Sequence, residues 1–129
     1  MKELHTLSVM VVEDSKAIRS LIVNILKKNG IGNITQAGNG KQALDAAPLI
    51  RPDLIISDLV MPEMNGMQLL ANLQKHPDLK AIPFVVLTSK TDDMTFKKTM
   101  TMGAADYIRK PFGEKELMIK LKSVAEWLS

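Results

Sequence analysis

The chain contains no cysteine. That excludes a disulfide frame, a zinc–thiolate centre and a thiol nucleophile at once, and it fits the cytoplasm, where we expect the protein to reside. Aromatic residues are scarce, with one Trp, one Tyr and three Phe, so there is little stacking surface for nucleobases. The two histidines, His5 and His76, have no partner at metal-ligand spacing. No apolar run approaches the ~18 residues that a membrane span requires. Glu3, Glu13 and Asp14 interrupt the start before a signal-peptide core can form, so neither secretion nor membrane insertion is expected. A glycine-rich nucleotide loop is missing too, because Gly38-Asn39-Gly40-Lys41 lacks the required spacing.

What is present suits one globular domain over residues 1–129, with 46% hydrophobic and 24% charged residues. The net charge is +3 and the isoelectric point is near 9.2. The lysines are scattered or paired (Lys27-Lys28, Lys97-Lys98), which describes a solvated basic surface rather than direct nucleic-acid contact.

Leu7 to Val12 (LSVMVV) is β-rich and apolar, a first strand running into Glu13 and Asp14. From Ser15 to Asn29, apolar residues recur at Ala17, Ile18, Leu21, Ile22, Ile25 and Leu26. That is one helical face, started by Asp14 or Ser15 as N-cap and stopped by Gly30. Asn33 to Ala37 is a weaker second strand, and Gly40 to Ala47 a short helix that Pro48 is expected to end or kink. Leu54 to Asp58 (LIISD) is an apolar run closed by a carboxylate, a strand covered on both faces. Pro62 and Asn65-Gly66 then mark a loop, and Met67 to Lys75 returns to helical spacing. Pro83 to Leu87 is a fourth strand ending at Thr88 and Ser89. Asp92 to Met102 is a fourth helix with few apolar members, Phe96 and Met100, capped by Gly103. Ala105 to Ile108 is a fifth strand leading into Arg109, Lys110 and Pro111. Glu114 to Leu128 is a last helix with Leu117, Leu121, Val124 and Leu128 in register. Alternation of five strands with five helices predicts an α/β fold, a doubly wound parallel sheet with right-handed crossovers and helices on both faces.

In such a sheet the strand ends point one way. Glu13 and Asp14 follow the first, Asp58 ends the third, Thr88 follows the fourth and Lys110 follows the fifth. Each alone has an ordinary reading as a cap, a turn residue or a surface lysine; their joint position predicts a site. Three carboxylates brought together repel unless a cation intervenes. A hard dication such as Mg²⁺ resolves the conflict and bridges to phosphate oxygens. A carboxylate so held is a known nucleophile that forms an aspartyl phosphate, with Thr88 and Lys110 available to stabilise the transferring group.

These motifs, Glu13-Asp14, Asp58 with Pro62 beyond it, Thr88, Tyr107 and Lys110-Pro111-Phe112, resemble the signature of the response-regulator receiver domain. The resemblance covers essentially the whole chain. It is strongest to stand-alone receivers of the chemotaxis CheY kind, since nothing follows the last helix. It implies the flavodoxin-like strand order 2-1-3-4-5 known of CheY. It implies that Asp58 accepts a phosphoryl group from the phosphohistidine of a histidine kinase. Glu13, Asp14, Asp58 and the backbone carbonyl of Val60 would hold Mg²⁺, while Thr88 and Lys110 contact the phosphoryl group. Thr88 and Tyr107 would be switch residues, and the Lys110-Pro111 bond cis. The fourth helix, fifth strand and last helix would form the partner-reading face, with Phe96, Tyr107 and Ile119 on it; Met94, Met102 and Trp127 are further candidates for exposure there, the other methionines being core filler. Such a protein is no enzyme beyond catalysing its own phosphorylation and dephosphorylation. It acts on a downstream effector, a flagellar motor switch being the natural guess, as a monomer or weak dimer. A phosphorelay shuttle or a kinase-directed adaptor fits almost as well.

Two positions depart from the family pattern. Val60 stands where a polar residue is often found, and Lys90 is basic where acidic or small residues are frequent. Both border the route of hydrolytic water, so apolar Val60 predicts a long-lived phosphorylated form. Three rivals share parts of the pattern. A flavodoxin-like cofactor binder is opposed by the two carboxylates after the first strand, which repel a flavin phosphate. An aspartate-nucleophile phosphatase needs a second acid where Val60 stands. A receiver-shaped module that is never phosphorylated is opposed by the intact acidic set.

Overall fold

A computed structural model describes residues 3–89, 93–126 and 128; Lys90, Asp92 and Trp127 lie outside them. Five parallel strands, β1 (Ser8–Val12), β2 (Asn33–Ala37), β3 (Leu54–Asp58), β4 (Phe84–Thr88) and β5 (Asp106–Arg109), form one sheet in the order β2-β1-β3-β4-β5. Between and after them run α1 (Lys16–Lys28), α2 (Gly40–Ile50), α3 (Gly66–Gln74), α4 (Asp93–Thr101) and α5 (Glu114–Ala125). A short 3-10 turn at Leu4–Thr6, which no periodicity announces, precedes β1.

The strands alternate their side chains between two cores. Val9, Val11, Ile56, Val85, Leu87 and Ile108 face α1 and α5. Met10, Val12, Ile55, Phe84, Val86 and Tyr107 face α2, α3 and α4. β3 and β4 are buried along their whole length, as continuous apolar runs require of central parallel strands. Edge strand β2, with Thr35 and Gln36, buries only Ala37.

Helix starts follow their caps. Ser15 Oγ accepts the Ile18 N–H at 3.3 Å and Asn39 Oδ1 the Gln42 N–H at 2.9 Å. Asn65 and Gln68 bond reciprocally, each side chain to the other's N–H at 2.9 Å, a capping box that starts α3 one residue before the hydrophobic spacing does. Gly30 and Gly103, at φ +91° and +107°, end α1 and α4 in the left-handed region.

Expectations need correction at several points. α5 ends at Ala125 rather than Leu128. α2 continues through Pro48 to Ile50; the ring's fixed φ is helical, only one donor is missing, and the Arg51 N–H still reaches Ala47 O at 2.8 Å. The buried stripe of α1 is Ile22, Val23, Ile25 and Leu26, with Ala17 exposed and Leu21 49% exposed, because Val23 rather than Leu21 faces the sheet. β5 lies one residue later than its apolar run, since the Ala105 N–H bonds Phe84 O before the strand begins. Met102 is half-buried against the second core, whereas Met94 is exposed as expected.

Candidate functional site

The parallel register brings the carboxyl ends of four strands together. Val12 is level with Ala37 and Ser57, Asp58 with Leu87, and Thr88 with Arg109. The residues just beyond β1 and β5 are then fixed by main-chain bonds: the Glu13 N–H donates to Ala37 O at 3.0 Å and the Lys110 N–H to Thr88 O at 2.8 Å. The Lys110-Pro111 bond is cis.

Glu13 and Asp58 are buried, at 1% and 6% exposure, while Asp14 is exposed. One carboxylate oxygen from each of Glu13, Asp14 and Asp58 lies within 4.8 Å of the others. The Lys110 ammonium sits among them, 2.6 Å from Glu13 Oε1 and 3.3 Å from Asp58 Oδ2. Glu13 Oε2 accepts the Ser15 N–H at 3.1 Å. Asp58 Oδ1 accepts the Leu59 N–H at 2.9 Å, and the Val60 N–H also turns to this carboxylate.

Burial dominates the electrostatics. It pushes the Asp58 carboxyl above the usual range, and the charge and hydrogen bond of Lys110 offset only part of this. Glu13 is pushed up by burial as well; its hydrogen bond from Lys110 works against the rise and the charge of Asp58 adds to it. Burial pulls Lys110 down, but the hydrogen bond to Glu13 and the two carboxylate charges reverse this and hold the ammonium above its ordinary pKa. The pocket is short of positive charge. Three oxygen donors of this kind fit a hard dication such as Mg²⁺.

Gly66 fixes the chain behind Asp58. Its N–H donates to Leu59 O at 2.8 Å, and a side chain there would collide with the Asp58 carbonyl oxygen and come within 2.9 Å of Leu59 Cα.

Glu13, Asp14, Asp58 and Lys110 thus meet in one cluster. Thr88 ends the strand beside Asp58 and is fully buried. Val60 stands at the rim, 57% exposed. Phe96 and Ile119 are exposed at 46% and 56%, but Tyr107 is buried: strand alternation turns its ring into the second core, where it meets Phe96 edge-on at 5.3 Å. Sequence spacing gave no sign of Arg19, whose Nη1 donates to the Glu13 carbonyl at 2.7 Å. The Asn65-Gly66 pair signals a turn but not the close approach to Asp58.

No helix among the described residues is long and apolar enough to cross a membrane. Over 119 residues the chain is 40% identical to histidine kinase P4 of Formosa agariphila, covering 92% of this chain but 8% of that protein. It is 35% identical over 115 residues to the DNA-binding response regulator MtrA of Mycobacterium tuberculosis, covering 89% of this chain and 49% of the relative. The chain therefore spans at most about half the length of these relatives. Among solved structures it resembles chemotaxis protein CheY4 of Vibrio cholerae, with a TM-score of 0.86 and 30% identity over 92% of this chain and 98% of that one. It also resembles the receiver domain of a signal transduction histidine kinase from Syntrophus aciditrophicus, with a TM-score of 0.88 and 34% identity over 96% and 93%. Residues 9–122 match the response regulator receiver domain, and with these relatives the match places the chain in the receiver-domain family of two-component signalling.

Proposed function

We propose that the chain is a cytoplasmic, phosphorylation-activated switch in which Asp58 accepts a phosphoryl group from a histidine kinase. The observation that carries this reading is the placement of Asp58. Its carboxylate is nearly covered, lies 3.3 Å from the Lys110 ammonium and shares a 4.8 Å cluster with Glu13 and Asp14.

Glu13, Asp14 and Asp58 would hold Mg²⁺ together with the Val60 carbonyl. When bound, the ion neutralises phosphoryl charge and aligns donor with acceptor. A carboxylate oxygen of Asp58 attacks the phosphorus of phosphohistidine; the P–O bond forms as the P–N bond breaks, and the electron pair stays on the imidazole nitrogen, which takes a proton from water. Lys110 turns from its carboxylate partners to the new phosphoryl oxygens. Thr88, buried on the strand beside Asp58, would turn its hydroxyl to the same oxygens. That rearrangement links Asp58 to Tyr107, Phe96 and the α4–β5–α5 face, which a downstream effector reads. The protein turns over no other substrate.

The likeness to CheY4 supports an effector in chemotaxis or flagellar motor control. The likeness to segments of histidine kinases supports a second reading, a phosphorelay receiver that passes the group on. Exposure to acetyl phosphate with Mg²⁺, followed by intact mass, tests the common core. The parent should gain one phosphoryl group and Asp58→Asn none; a parent left unmodified by every small phosphodonor refutes it.

A further inference from the structure

Arg19, half-buried on the first turns of α1, lies outside the carboxylate–ammonium cluster yet holds its backbone. Nη1 donates to the Glu13 carbonyl at 2.7 Å, and Nε donates to Gln36 Oε1 on β2 at 3.2 Å. One rigid guanidinium thereby ties α1, β2 and the loop after β1. The gripped peptide joins two acidic residues in unlike situations. Glu13 is secured through its N–H to Ala37 O at 3.0 Å, through Ser15 at 3.1 Å and through Lys110 at 2.6 Å. Asp14 is exposed, and its carboxylate is bonded to no residue among those described. The direction in which Asp14 leaves the chain is set by the plane of the Glu13–Asp14 peptide, whose oxygen Arg19 holds.

The geometry points to Arg19 as a positioning residue for the cation site: its grip on the Glu13 carbonyl aims the Asp14 carboxylate toward Glu13 and Asp58. This inference rests on the magnesium-dependent reading of the site. Two physical effects of Arg19 have opposite signs. A guanidinium this near repels a dication, so its charge alone weakens metal uptake, and removing it would tighten binding. If orientation dominates, removing it weakens binding, because groups that orient metal ligands are worth about 10–100-fold in affinity.

The test is calorimetric Mg²⁺ titration of the parent, Arg19→Met and Arg19→Lys at fixed ionic strength, with the Asp14 amide followed by NMR in metal-free protein. Arg19→Met should weaken Mg²⁺ about 10-fold. Arg19→Lys should recover part of the loss, since an ammonium can reach the Glu13 carbonyl but cannot fork to Gln36 as well. The Asp14 N–H, which belongs to the gripped peptide, should shift and exchange faster in Arg19→Met without metal. Equal or tighter Mg²⁺ binding by Arg19→Met, or an Asp14 amide that does not move, overturns the inference while leaving the site reading intact. A parent that takes up no magnesium overturns the site reading and this inference with it.

Discussion

Replacing Lys110 with Met removes the ammonium that sits between Glu13 and Asp58, 2.6 and 3.3 Å away. The stem is replaced by apolar volume of similar length, so the perturbation is chiefly electrostatic. Glu13 and Asp58 are then left 1% and 6% exposed with no ammonium in contact among the described residues. Stripping one partner from a buried pair costs about 3–5 kcal/mol. The Lys110 side chain is 16% exposed and burial already disfavours its charge, so the lower end, about 3 kcal/mol, is the expected loss. With a urea slope of ~1–3 kcal/mol/M, the midpoint should fall by roughly 1–3 M.

The loss carries a pH signature. The folded-state pKa values of Glu13 and Asp58 are already raised and rise further without Lys110. Between the unfolded and folded values the native state then binds more protons than the unfolded one, so stability falls as pH rises through that window. The deficit of Lys110→Met should therefore be largest at neutral pH and shrink on acidification toward the ordinary carboxylate range. Urea melts followed by circular dichroism in EDTA, at pH 7.5 and near pH 5, measure it. Adding Mg²⁺ at pH 7.5 should return much of the midpoint by binding the native state alone. A variant whose midpoint equals the parent's at pH 7.5 in EDTA refutes the reasoning, as does a deficit that persists unchanged at pH 5.

The same electrostatics predicts that Asp58→Asn raises the neutral-pH urea midpoint in EDTA, since burial disfavours the ionised form more than Lys110 favours it; a lower midpoint contradicts this. Gly66→Ala drives a methyl group into the Asp58–Leu59 backbone and should destabilise by about 1–3 kcal/mol, with weaker Mg²⁺ uptake in calorimetry because Asp58 is displaced. Val60, apolar and 57% exposed two residues past the proposed acceptor Asp58, offers no polar side chain to orient a hydrolytic water, so Val60→Asn should lose its phosphoryl group faster than the parent in an intact-mass time course; an equal or slower rate counts against the proposed role of Val60.

The gathering of strand-end residues was legible because a parallel sheet converts positions far apart in sequence into neighbours. Once Leu54–Asp58 and Phe84–Thr88 are read as central strands, Asp58 and Thr88 must stand side by side, and Glu13 and Lys110 follow from the strands that flank them. Local boundaries were less legible wherever a hydrogen bond outranks hydropathy. The capping box of Asn65 and Gln68 sets the start of α3, and Pro48 passes within the last turn of α2 because one missing donor near a helix end is tolerated. Side-chain direction was hardest to read. Tyr107 lies in a four-residue strand whose alternation, once β5 starts at Asp106, turns its ring inward. Arg19 was invisible because it bonds a main-chain carbonyl, which no residue pattern encodes.

The uneven anchoring of the helices decides where a charge added at Asp58 is felt. α1 buries Ile22, Val23, Ile25 and Leu26, and α5 buries Leu117, Met118, Leu121, Val124 and Ala125. In α4, Met94 and Phe96 are 82% and 46% exposed and Met100 is only half-buried. Its buried Thr99 turns its hydroxyl to the helix's own Thr95 and Phe96 carbonyls, at 3.1 and 2.9 Å. The edge-on contact of Phe96 with Tyr107 is worth about 0.5–1.5 kcal/mol. Inverting a two-state population from 1:99 to 99:1 takes about 5.5 kcal/mol of differential interaction, and hydrogen bonds to a charged group supply ~1.5–3 kcal/mol each. A few such bonds at the phosphoryl group exceed what holds α4 and its aromatic contact, whereas they fall short of what several buried aliphatic side chains contribute in α1 or α5 at ~1.5–3 kcal/mol apiece. On the proposed reading, phosphorylation of Asp58 would therefore rearrange α4 and Tyr107 and leave the remaining scaffold in place.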